Sequence, residues 1–427
     1  MKKLGILLLA YITALNLWAE EFKIGKLTFE IETPTTVGLI HADGDITKAF
    51  LSETIDYKGN SYTLTSIGYR AFYDCSSLTS VTIPNSVTSI GERAFNGCSS
   101  LTSVTIPNSI RHIGESAFAW CKSLTSITIS NSVTYIGVAA FSNCSALTSI
   151  TIPNSVTKIL DAVFAGCSSL KSVTIPEGVT VIEGSAFYDC SSLTSVTIPN
   201  SITRIGIRAF SDCSSLTSIT IPNNVKEIEG RAFKGTALYE NPANWGNGAL
   251  YIDDCLIKVD EGFVGHFRIK ENTQVIADEA FDGCSSLTSI TIPNSVKSIG
   301  NFAFEDCSAL TSVTIPNSVT SIGYGAFTSC SSLTSVTIPN CITRIGIRVF
   351  SDCSALTSIT IPNSVTWIGE AAFNGCSSLT SVTIPNSVTN IENWAFWGCS
   401  SLTSVTIPNS ASIRYGAFPS HTQIIRQ

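Results

Sequence analysis

The sequence predicts an α/β-type solenoid, mostly β, in which about fifteen units of 23 residues coil around one parallel sheet between N- and C-terminal caps. Three observations predict it. Cysteines recur at Cys75, Cys98, Cys121, Cys144, Cys167, Cys190 and Cys213, and again from Cys284 to Cys399, in steps of 23 residues. Each step repeats the order of its apolar residues. The text stops repeating only at the two ends and across one internal stretch. Units of this size cannot bury an apolar face alone, so they must stack and share a continuous core.

One unit, LTSVTIPNSVTSIGERAFNGCSS from Leu78 to Ser100, stands for the rest. Val81 and Ile83 alternate with Ser80 and Thr82, the two-residue period of a half-buried strand, and the β-branched run agrees. Pro84 and Asn85 end that strand. From Val87 the spacing lengthens through Ile90 to Ala94, which fits a further short strand and then a helical or 3₁₀ turn from Glu92 to Phe95. One cysteine per unit at one core position gives parallel side chains about 4.8 Å apart, whereas a disulfide needs converging Cβ atoms roughly 3.5–4.5 Å apart. The expectation is a ladder of free, buried thiols packing as small apolar residues. Cys341, which replaces a serine in IPNCIT, is the expected exposed thiol.

This LxxVxIPxxVxxIxxxAFxxC pattern resembles the BspA-like leucine-rich repeat family of bacterial cell-surface and secreted proteins, over nearly the whole chain past its leader. The resemblance implies a leucine-rich-repeat coil stack, and a family whose members include adhesins that bind extracellular-matrix proteins and mediate coaggregation. The chain departs from the commoner LxxLxLxxNxL consensus: counted from Leu78, Ser86 fills the place of the ladder asparagine.

Residues 1–19, two lysines followed by the apolar run from Leu4 to Leu15, read as a secretory signal peptide. Residues 20–65 do not repeat and form an N-terminal β cap, covering the face and sheet edge that the first coil would expose. Repeats run over 66–236. Residues 237–266 interrupt them as a divergent coil, with a hairpin of Leu250–Ile252 and Leu256–Val259 around Asp253-Asp254. Repeats resume over 267–418, and 419–427 close the stack with a strand near Thr422–Ile425. No stretch past the leader is long and apolar enough to span a membrane.

Charge and chemistry narrow the function. Without the two leader lysines, 23 basic residues face 32 acidic ones, a net charge of −9 that argues against nucleic acid as a partner. His41, His112, His266 and His421 lie far apart, and no serine or cysteine sits in a nucleophile-elbow or phosphate-loop context, so no catalytic residue, cofactor or metal is assigned. Asp253 and Asp254 beside Cys255 and His266 propose a metal site, but hairpin-turn chemistry explains them better.

The remaining candidate is the surface. The outward strand positions Ser80/Thr82, Ser103/Thr105 and Ser126/Thr128 recur along the chain and predict long, neutral rows of hydroxyls, with charges gathered after the isoleucine as in Glu92 and Arg93. Trp367 and Trp394, aromatics that break the repeat, are added as candidate anchors; packing at a variable position is the other reading of such residues. The favoured function is a secreted or cell-surface, monomeric protein that binds extracellular proteins or glycans through many weak contacts. A structural spacer is the main alternative, and an ice-binding or hydrolytic role is weaker.

Overall fold

The structure, a computed structural model, describes residues 20–427; the leader expected over 1–19 lies outside the described residues. Two compact units make up the chain. One takes residues up to Ile219 together with Ala232–Glu240, the other Thr220–Arg231 together with Asn241–Gln427. Both are mostly-β solenoids built from the same coil. Among the described residues, no helix is long and apolar enough to cross a membrane.

Most coils contribute two short strands. In the first unit Ser80–Thr82, Ser103–Thr105 and Ser126–Thr128 pair in parallel, with Ser103 beside Ser80 and Ser126 beside Ser103. The second strand of each coil, Ser89–Ile90, His112–Ile113 and Tyr135–Ile136, builds a separate parallel ladder. The second unit repeats the plan, with Ser358–Thr360 on Ser381–Thr383 and Arg344–Ile345 on Trp367–Ile368. The one parallel sheet of the sequence reading is thus two ladders per unit. Pro84 has no N–H to continue the first strand, so the chain turns before a second begins.

The helical turn expected from Glu92 to Phe95 is not helical. Arg93 at φ 55° and Gly97 at φ 78° are left-handed, which breaks any run of helical residues. The backbone donors there alternate instead. Arg93, Phe95 and Gly97 donate to the carbonyls of Glu115, Ala117 and Ala119 in the next coil, at 2.7–2.9 Å, while Asn96 and Cys98 donate three residues back. Helix among the described residues is limited to Ala237–Glu240 and a 3₁₀ turn at Pro242–Asn244.

Side chains at equivalent positions stack as the coils do. Leu78, Val81, Ile83, Val87, Ile90, Ala94, Phe95 and Cys98 are all buried. The phenylalanines from Phe72 to Phe233 lie face to face at 4.9–5.8 Å, with neighbouring planes within 18°. All fifteen cysteines are free, and Cys341 is the exposed one. The thiols do more than fill space: Cys121, Cys144 and Cys167 each donate to the phenylalanine carbonyl 26 residues earlier, at 3.2 Å. At the position of the missing asparagine, Ser132 donates to the Ile110 carbonyl at 2.8 Å and Ser201 to that of Val179 at 2.6 Å, a hydroxyl ladder that Cys341 joins through the Val319 carbonyl.

The ends are closed as expected. In the N-terminal cap Leu27–Thr33 pairs antiparallel with Thr36–Ala42, which runs parallel to Asn60–Ile67 and so starts the second ladder. Lys48–Phe50 starts the first, with Lys48 beside Ser80 and Phe50 beside Thr82. Gln423–Arg426 finishes the second unit's first ladder against Ser404–Ile407. The interruption holds the hairpin of Ala249–Ile252 and Cys255–Val259.

Two outcomes follow from this core. Phe164→Ala, which opens a hole inside the aromatic stack, should destabilise the protein by about 3–5 kcal/mol in urea unfolding. Burial pushes the thiols of Cys121 and Cys167 up to about 12 from an ordinary value of 9.0. The folded state therefore favours the neutral thiol, and that stabilisation is intact below about pH 9 and lost as pH rises from 9 towards 12. Stability should fall across that window, less steeply in Cys121→Ala, and in the native protein near neutral pH a thiol reagent should label Cys341 alone.

Candidate functional site

The first ladder places its hydroxyls by strand alternation. Val81 and Val104 point into the core, so Ser80, Thr82, Ser103 and Thr105 point out, and the parallel register aligns serine with serine and threonine with threonine. Ser126 and Thr128 extend both rows. Among the described residues these outward hydroxyls have no hydrogen-bond partner. Their neighbours in the chain do: Thr88 donates to the Thr65 carbonyl, Thr102 to that of Thr79 and Thr125 to that of Thr102, at 3.2–3.3 Å. The coil thus employs most of its threonines in joining coil to coil and leaves one face unemployed.

That face is concave. In the first unit a trough of about 550 Å³ runs beside the rows, with Ser80, Thr82, Ser103, Thr105 and Thr128 on one side and Asn85, Pro107 and Asn108 on the other. In the second unit a matching trough of about 640 Å³ is lined by Thr291, Thr314 and Thr337 opposite Asn294, Asn317 and Asn340. No charged residue lines either trough. Charge stands at the ends of the first ladder, with Lys48 beside Ser80 and Arg268 beside Thr291, and on the second, where Arg204 pairs with Glu183 at 2.5 Å.

The two tryptophans stand elsewhere. Trp367 lies on the second ladder, half-buried, with the Arg344 guanidinium 4.3 Å from its ring centre and its Nε1 donating to Glu392 Oε1 at 3.0 Å. Trp394 occupies a turn at φ 56°, and its indole lies along the backbone of Gly416, where a Cβ would come within 2.9 Å of Cδ1. The candidate residues therefore divide: Ser80, Thr82, Ser103, Thr105, Ser126 and Thr128 share one face, while Trp367 and Trp394 do not reach it. Trp120 and Trp397, next in the chain to the buried Cys121 and Phe396, are about half exposed at 48% and 52%.

Two residues of the hydroxyl face escaped the sequence reading. Phe50 is 77% exposed and heads the threonine row, one register step before Thr82. The available signal was the alternation Lys48-Ala49-Phe50 around a buried alanine, hidden because the cap shares no text with the repeats. His266 begins the rows of the second unit, its Nδ1 2.8 Å from Ser289 Oγ and its Nε2 3.1 Å from Thr291 Oγ1. It is not joined with the hairpin acids: Asp253 Oδ2 accepts the Ile221 amide, and Asp254 accepts the Asn272 and Gln274 side-chain amides.

A coil of two parallel strands and a left-handed turn, stacked with its cysteine and phenylalanine ladders, defines a leucine-rich repeat solenoid. The family model described as BspA type Leucine rich repeat region (6 copies) matches residues 47–162, 139–244, 263–355 and 343–426, and the chain belongs to that family. Among solved structures it is similar to a leucine rich cell surface protein from Faecalibacterium prausnitzii, at 32% identity over 91% of this chain and 94% of that chain, TM-score 0.46. A leucine-rich repeat protein from Bacteroides ovatus shares 27% identity over 95% of this chain and 99% of that chain, TM-score 0.45. The T. pallidum leucine rich repeat protein shares 30% identity over 46% of this chain and 91% of that chain, TM-score 0.40. No curated protein matches.

Proposed function

We propose that the protein is a secreted or cell-surface protein that binds host or matrix proteins, or cell-surface glycans, through many weak contacts along the hydroxyl face of its solenoid. The observation that supports this reading is a trough in each unit lined by hydroxyls and amides, among them the Thr82, Thr105, Thr314 and Thr337 hydroxyls, which make no hydrogen bond among the described residues. Each such group contributes little alone, and repetition converts small contributions into useful affinity. The cell-surface description of the F. prausnitzii relative and the leader over 1–19 support the location. On this reading the protein acts as a monomer, without catalysis or cofactor, and its neutral face and acidic balance keep nucleic acid away.

The chain from Glu20 onward, applied to an array of immobilised matrix proteins and glycans, tests this. Thr105→Lys and Thr314→Lys each push a charged side chain into one trough. Each should weaken a saturable interaction by about tenfold, and the double variant by roughly a hundredfold, as expected when linked contacts are lost. Absence of saturable binding anywhere on the array sinks the proposal, as does binding that both substitutions leave intact.

A further inference from the structure

The threonine row beside the trough of the first unit begins at an aromatic ring, Phe50, whereas that of the second unit begins at Arg268, in register with Thr291. Phe50 sits on the cap strand that starts the first ladder, in register with Thr82, so the outward row reads Phe50, Thr82, Thr105, Thr128 along the stack. Phe50 is 77% exposed at this outward strand position, next to buried Ala49.

We propose that this row is a four-position groove for a neutral, extended, β-linked hexopyranose chain, one sugar per coil, with the first sugar resting its C–H face on Phe50. The assignment rests on the reading above that this face binds partners, and it names one class among them. Four features select that class. The trough lining has no charge, and Lys48 stands only at the end of the neighbouring serine row beside Ser80, so a charged polymer finds no counter-ion repeated along the coils. The Thr82, Thr105 and Thr128 hydroxyls and the Asn85 amide have no partner among the described residues, and each can both donate and accept, as sugar hydroxyls do.

The spacing also discriminates. Coils repeat at about 4.8 Å, close to the ~5 Å advance per sugar of an extended β-linked chain, whereas an extended peptide advances only ~3.3 Å per residue and so meets every second coil rather than placing one residue on each. Nor is a peptide able to add to this ladder as a strand. The backbone of Ser103–Thr105 is already paired to Ser80–Thr82 on one side and Ser126–Thr128 on the other, leaving no open edge at the trough. An exposed aromatic ring at one end is the remaining feature, since a planar apolar face suits the flat C–H side of a pyranose and fixes where the chain begins.

Calorimetric titration of the chain from Glu20 onward with cello-oligosaccharides of two to six sugars tests the groove. Affinity should rise up to the tetrasaccharide and then level. Phe50→Ala should weaken cellohexaose binding about tenfold, the scale of a lost aromatic anchor, and Phe50→Tyr should restore it. Thr105→Val, which keeps the strand shape and removes one hydroxyl, should weaken it several-fold while leaving the urea midpoint unchanged. No saturable binding of cellohexaose, or binding that Phe50→Ala leaves unaltered, overturns the groove. Retained binding to matrix proteins on the array in that case overturns this assignment alone; loss of both overturns the binding reading as well.

Discussion

A 23-residue coil cannot satisfy its own backbone, and the remainder of the structure depends on the hydrogen bonds it makes to its neighbours. The left-handed residues at positions such as Arg93 and Gly97 turn alternate N–H groups along the stack, so that Arg93, Phe95 and Gly97 donate to the following coil. Buried donors without partners are costly, which makes this arrangement obligatory once the turn is covered by other coils. It also locks the offset between coils. With that offset set, any residue type repeated every 23 positions must lie directly over its previous copy.

The ladders follow from that constraint. A phenylalanine in each coil becomes a stack of near-parallel rings, a cysteine becomes a row of thiols each bonded to a neighbouring carbonyl, and the serine after Pro-Asn becomes a hydroxyl row. The same closeness restricts what can follow what. A Cβ at Gly97 would come within 2.1 Å of Asp74 Oδ1, so the side chain of Asp74 as placed leaves room there only for glycine. Identity of sequence between coils is therefore not redundancy; each copy is the packing surface of the next.

The functional face is what remains when these demands are met. Threonines such as Thr102 and Thr125 join coils, and the strand backbones pair sideways, but the alternate strand positions are turned away from both tasks. Hydroxyls such as those of Thr82 and Thr105 stay free beside asparagines, with charge at the ladder's ends and along the other ladder. A surface made this way presents the same neutral groups at regular intervals, which suits repeated weak contacts better than a single deep site.

Much of this was legible from the sequence because a repeat states its contacts many times over. The period, the buried set from Leu78 to Cys98, the free thiols, the exposed Cys341, the hairpin around Asp253-Asp254 and the outward serines and threonines each follow from spacing and strand alternation. What periodicity could not express was where the chain turns and what meets across non-repeating text. Two left-handed residues replaced a helical turn because their N–H groups serve another coil, a partner outside the window in which local spacing operates. Phe50 reached the head of the threonine row, His266 reached Ser289 and Thr291, and Trp367 and Trp394 took other faces, because pairing between strands remote in the chain set those positions. Composition and period determined the coil; only the stacking of coils decided which of its side chains remained available to a partner.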